Sequence, residues 1–167
     1  MGWFRQIRAS SVAWVSKKAV GWFLVGVQIA LYVVLILLPW RAPTAVSVVL
    51  SIPPLAIGLI VAVVSLRALG SALTPTPVPI PGAGLRTSGI YAWVRHPIYS
   101  AVLCVTVAAL IFAGSWWSWL WGVVIVAFFW GKSRWEDRLL DHQYGDQWRS
   151  WADRTGALIP RRRRSAP

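Results

Sequence analysis

Acidic residues are scarce in this chain. Five Asp and Glu stand against seventeen Lys and Arg, for a net charge of +12. Cysteine is nearly absent: Cys104 is the only one, so no internal disulfide can form. It sits in an apolar run without an adjacent His or Asp, where a small buried hydrophobe is the plain reading. Two histidines and one cysteine show no zinc-ligand spacing, and no metal site is expected. The basic excess does not point to nucleic acid, because the cations are not spread over a soluble face. They sit between and beside apolar segments, the way membrane orientation is written.

What the chain has in abundance is apolar surface, 57% hydrophobic against 13% charged residues. Such a composition lies above the range of soluble domains. A single membrane domain over 1–160, followed by the polybasic tail 161–167, accounts for the length. The tail is too charged and short to fold; it suits both topology and attraction to anionic headgroups.

The expected fold class is an all-α membrane protein with about four transmembrane helices. An N-terminal stretch, residues 3–18, places Trp3, Phe4, Ile7, Trp14 and Val15 roughly on one helical face beside Arg5, Arg8, Lys17 and Lys18. That pattern predicts an interfacial helix and not a cleaved signal. The first span runs over about Gly21–Trp40, interrupted only by Gln28. It is long enough to cross about 30 Å of hydrocarbon at about 1.5 Å per residue. The second, about Ala45–Leu66, contains Pro53 and Pro54, which predict a kink. Residues 73–84, "LTPTPVPIPGAG", form a loop. A third apolar run, about Ile98–Ala113, and a fourth, about Trp116–Gly131, are joined through "GSWWS" as a helical hairpin. Residues 132–154 continue the fourth helix as a cytoplasmic extension, with Gly145 a point of bending.

Lys and Arg precede span one, lie between spans two and three, and follow span four; Arg41 is the one basic residue opposite. This pattern predicts an integral, multi-pass membrane protein with cytoplasmic N- and C-termini. The five acidic residues all follow span four, on the same side.

Polar residues concentrate at Thr87–Tyr99 and Lys132–Asp137, the two ends of the hairpin, and so should meet at one membrane face. Pro97 suits a first helical turn, where its missing N–H costs nothing, and this places His96 at the cap. Free N–H groups and the dipole favour an anion there, and Arg95 adds a fixed charge. Lys132 and Glu136 lie four residues apart on one helical face. Taken singly, Arg95 and Lys132 read as cations reaching for headgroups, and Tyr91 and Tyr99 as interface anchors. Taken together, they read as a site.

The segment "GLRTSGIYAWVRHPIYSAVL", followed after one hairpin by "FFWGKSRWEDRLLDHQYGDQW" and then "IP", resembles the isoprenylcysteine carboxyl methyltransferase family, whose wider group includes phospholipid methyltransferases. The likeness covers residues 83–160. It implies an integral membrane enzyme that uses S-adenosylmethionine to methylate a lipidic or membrane-partitioned acceptor at the cytoplasmic interface, with carboxyl O-methylation ahead of other chemistry. It carries cofactor binding onto Ala83, Gly84, Leu85, Arg86, Tyr91, His96, Pro97, Ile98, Tyr99 and Glu136, to which the fixed charge of Arg95 adds a candidate for the cofactor's carboxylate. It carries acceptor binding onto Lys132, with Lys132 and Glu136 as the catalytic pair. Three positions depart from the family's pattern. Asp137 replaces the second of two glutamates, Lys132 an arginine, and Ser100-Ala101 a glycine. Two other readings remain open. One is a nicotinamide-dependent membrane sterol or isoprenoid reductase; the other is a non-catalytic lipid-binding membrane protein.

Overall fold

The computed structural model describes residues 2–70, 73–78 and 84–161, with side chains from residue 16 onward. The apolar face expected within residues 3–15, the candidate Ala83 and most of the basic tail fall outside the described parts.

Five α-helices and one short 3-10 turn make up the described fold: α1 (Gly2–Leu37), α2 (Ala45–Leu69), the turn Gly89–Ala92, α3 (Pro97–Ala113), α4 (Trp116–Tyr144) and α5 (Asp146–Ala152). The fold is all-α, as expected; the one β feature among the described residues is an isolated parallel bridge between Val94 and Gly156.

Two expectations change. The interfacial helix and the first span are one continuous helix of 36 residues. Nothing between Ser16 and Gly21 removes a backbone donor, and a single glycine is tolerated within a helix. Instead of about four spans, two helices are both long and apolar enough to cross a bilayer, Ser16–Leu37 and Ala45–Leu69. At 17 residues α3 covers only about 25 Å at about 1.5 Å per residue. In α4 the first half is diluted by tryptophan and the second by charge. The second helix runs through Pro53 and Pro54 without interruption.

The first two helices bury little of themselves. Trp22, Phe23, Ile29, Ile36, Val49, Leu50 and Ile60 all lie more than half exposed. Apolar surface of that extent requires a covering of lipid or protein.

Against each other, α2 and α3 pack closely at Gly58, where an added Cβ would lie 2.9 Å from the Ala101 carbonyl oxygen and 3.1 Å from the Val105 nitrogen. A glycine here lets the two backbones approach as no larger residue would. Elsewhere, Leu31 and Leu35 of α1 meet Leu110 of α3 and Ile125 and Phe129 of α4 in a small core. The Trp121 indole nitrogen donates to the Leu31 carbonyl at 2.8 Å, joining α4 to α1.

Gly114 takes a left-handed φ of 60° and, with Ser115, turns the chain back after α3. The loop after α1 reaches the same end, since the Arg41 amide donates to the Ala113 carbonyl at 2.9 Å. At the opposite end, Thr76 and Val78 of the proline-rich loop lie against Gly21 of α1. Gly145, with φ 52° and ψ −124°, separates α4 from α5. The chain after α5 then returns to the start of α3 through hydrogen bonds from the Arg95 amide to Gly156 (2.8 Å) and from the His96 amide to Ala157 (3.0 Å).

Candidate functional site

These two returns, the hairpin and the C-terminal segment, bring residues distant in sequence to one cavity of about 280 Å³. Its walls come from Gln28 of α1, the end of α2, the loop residues 73–78 and 84–86, the segment 95–99 and the inner face of α4.

His96 is the N-cap of α3, with Pro97 in the first turn, as the motif's local chemistry dictates. Its ring is 3% exposed and stacks on Tyr99, with centroids 5.4 Å apart and planes 11° from parallel. Both ring nitrogens face carboxylates. Nε2 lies 2.9 Å from Asp137 Oδ1, and Nδ1 lies 3.5 Å from Glu136 Oε2. Burial alone would push this ring toward its neutral form. The two carboxylates overcome that and raise its pKa to about 9. In turn Asp137, though also desolvated, is held below the usual carboxylate range by His96 and Arg95. The Tyr99 hydroxyl donates to Glu136 Oε2 at 2.7 Å. Tyr91 is pushed up to about 12 by burial and by the nearby Glu136 charge.

One turn before Glu136, Lys132 is 4% exposed. Its ammonium donates to Gln28 Oε1 at 2.6 Å. It also sits 5.1 Å from the centroid of the Tyr99 ring and within 6 Å of Phe128 and Phe129. Aromatic faces attract a cation electrostatically, so a buried ammonium is tolerable here.

Of the sequence-derived candidates, Gly84, Leu85, Arg86, Tyr91, Arg95, His96, Pro97, Ile98, Tyr99, Lys132 and Glu136 all line this one cavity. Arg95 is engaged inward. It grips Asp137 through Nε (3.3 Å) and Nη2 (3.2 Å), and donates through Nη1 to the carbonyls of Ala152 (2.9 Å) and Thr155 (2.7 Å). Ser100, one of the departures from the family pattern, has a use of its own: its hydroxyl donates to the Leu158 carbonyl at 2.6 Å.

Three contributors escaped the sequence reading. Gln28 is the polar interruption of the first apolar run, and a polar group inside such a run is a site signal in its own right. Asp137 was legible as a departure but not as the partner of His96. Trp151 closes the far wall and donates to the Tyr91 carbonyl at 2.9 Å; no local pattern marks it.

Residues 46–147 match the phospholipid methyltransferase family. The chain belongs to this family. The match spans the second helix, the loop, the hairpin and the polar arm of α4, and so takes in nearly the whole cavity wall. The fold of the family member resembles a solved structure, the eukaryotic intramembrane Ras methyltransferase isoprenylcysteine carboxyl methyltransferase. The TM-score is 0.62 and the sequence identity 18%, over 90% of this chain and 53% of that one. That likeness is one of fold, and the present chain spans about half the length of the solved protein. No curated protein sequence matches the chain.

Proposed function

We propose that this protein is an integral membrane S-adenosylmethionine-dependent methyltransferase acting on a lipidic or membrane-partitioned acceptor at the cytoplasmic interface. The observation that carries this reading is the convergence of Glu136, Lys132, His96 and Tyr99 on one cavity at the end of the hairpin.

The residues present fit a ligand with an amino-acid end, a ribose and an aromatic base. Glu136 accepts hydrogen bonds from an ammonium or from hydroxyls. His96, protonated, and the turn that opens α3 suit a carboxylate. Gly84, Leu85 and Arg86 line the cavity, where peptide groups of this stretch would meet a base edge. Gly84, at φ 73°, lets that chain turn where a side chain would strain it.

S-adenosylmethionine supplies a methyl group already activated on a sulfonium. The protein's part is then to position the acceptor and exclude water. Loop residues Thr74–Val78 cover the cavity from the side of α1. Lys132 orients an anionic acceptor head. With both ring nitrogens facing carboxylates, His96 is a proton donor and not a base. A carboxylate acceptor needs no base and is favoured for that reason; an amine would have to give its proton to Glu136.

In the membrane, α1 and α2 cross, and α3 with the first half of α4 enters from the cytoplasmic side as a hairpin. The basic residues then lie with both termini on the cytoplasmic side, near anionic headgroups.

Calorimetry with the full chain in nanodiscs tests the reading. Binding of S-adenosylmethionine or S-adenosylhomocysteine is expected, with affinity falling about 10- to 150-fold in Glu136→Ala. Incubation with methyl-labelled cofactor and membrane lipid extract should transfer label to the lipid phase. Binding of nicotinamide cofactors in place of S-adenosylmethionine would overturn the proposal.

A further inference from the structure

Glu136 and Asp137 are neighbours on α4, yet they serve different spaces. Glu136 lines the cavity; Asp137 does not. Its two oxygens face away, one toward His96 Nε2 (2.9 Å) and Arg95 Nε (3.3 Å), the other toward Arg95 Nη2 (3.2 Å). Arg95 in turn holds the carbonyls of Ala152 and Thr155. Asp137 thereby ties three segments that share no continuous element: the approach to α3, the body of α4 and the chain after α5.

We propose that Asp137 is a positioning residue that acts through His96 and Arg95, fixing the His96 ring as a two-sided hydrogen-bond donor at the cavity wall without itself touching a bound ligand. The ligand's identity rests on the function proposed above; the positioning does not.

The geometry leaves His96 little choice. With Asp137 at Nε2 and Glu136 toward Nδ1, a neutral ring would turn a lone pair onto one carboxylate, so the doubly protonated ring is the form the pocket holds. The ionisable groups around the ring are Tyr91 and Arg95 before α3, Tyr99 on α3, and Lys132, Glu136 and Asp137 on α4. Among the described residues, the chain at and after the end of α5 meets Arg95 and His96 through the carbonyls of Ala152, Thr155, Gly156 and Ala157. Among these groups, Asp137 makes the shortest contact to His96, at 2.9 Å. Against the burial that opposes the charge, Glu136 gives the largest lift to the His96 pKa and Asp137 adds its hydrogen bond and charge, bringing it to about 9.

The test uses the full chain in nanodiscs with ¹⁵N-labelled histidine. The chain holds two histidines, and a His142→Gln variant assigns the signals. In the wild type, both His96 ring nitrogens should stay protonated through pH 8. In Asp137→Asn, deprotonation should move to lower pH, and Asp137→Glu should restore it. S-adenosylhomocysteine binding to Asp137→Asn should be within about threefold of wild type at pH 6 and, above the pH at which the variant's ring loses its proton, should weaken about tenfold per pH unit while the wild type holds, since the protonated fraction falls by that factor. Equal loss of affinity at low and high pH would place Asp137 on the ligand and overturn the proposal, as would an unchanged His96 titration. If Asp137→Asn fails to fold, the wild type decides: a neutral His96 ring at pH 7 refutes the assignment, and a doubly protonated one retained in Asp137→Glu sustains it. If the wild type binds no S-adenosylhomocysteine, the proposed function fails, and the His96 titration still decides the role of Asp137.

Discussion

Replacing Gln28 by leucine isolates one feature of the site, a buried ammonium held by a single amide oxygen across the interface of α1 and α4. The side chains are close in size, so packing changes little. What is lost is the 2.6 Å contact to Lys132 Nζ, leaving the ammonium with aromatic faces and the nearby Glu136 charge. A hydrogen bond to a charged group contributes about 1.5–3 kcal/mol, and leaving a buried charge unpaired costs at least as much. Gln28→Leu should therefore destabilise by about 2–3 kcal/mol. The double variant with Lys132→Met should be more stable than Gln28→Leu alone, because both polar partners have become apolar. The assay is thermal and denaturant unfolding in detergent of the wild type, the two single variants and the double, read as a double-mutant cycle. A coupling of about 1.5–3 kcal/mol is expected. Effects additive within about 0.5 kcal/mol would show that the two residues do not meet as described and would refute the reasoning.

Three further expectations follow from the same structure. Gly58→Ala places a methyl against the backbone of Ala101 and Val105, which cannot give way as a side chain can; a loss of about 1–3 kcal/mol in detergent unfolding is expected, whereas Gly26→Ala, with open space around it, should be neutral or slightly stabilising. The native state holds the His96 proton more tightly than the unfolded chain, about 9 against 6.5. Its contribution, about 3 kcal/mol, should then be full below about pH 6.5, fade between pH 6.5 and 9, and vanish in His96→Gln; unfolding measured from pH 6 to 9 checks the slope. Cysteines introduced at Arg41 and Trp116, both exposed, in a Cys104→Ser background should both label from outside, since the two positions lie at the same end of the fold; labelling of Arg41→Cys from the cytoplasm alone would reject the proposed topology.

The sequence by itself determined what is local. Apolar runs, the proline-rich break, Pro97 in a first turn, His96 at the cap and Gly145 as a stop are decided within a few residues, by backbone sterics and hydrogen-bond supply. The hairpin, too, was legible, because two residues allow no other connection than a reversal; that alone brings Tyr99 to Glu136. Partnership between distant polar groups was not. Lys132 reads as a cation on a helix face until the rotation of α1 presents Gln28 to it from 104 positions away. Arg95 reads as a charge for a ligand until the chain after α5 folds back and occupies its donors with the carbonyls of Ala152 and Thr155. Nor does adjacency in sequence separate Glu136 from Asp137: successive residues on a helix point about 100° apart, and packing alone sends one carboxylate into the cavity and the other onto His96 and Arg95. Local physics sets which groups are available; the relative rotation and return of whole segments sets which of them meet.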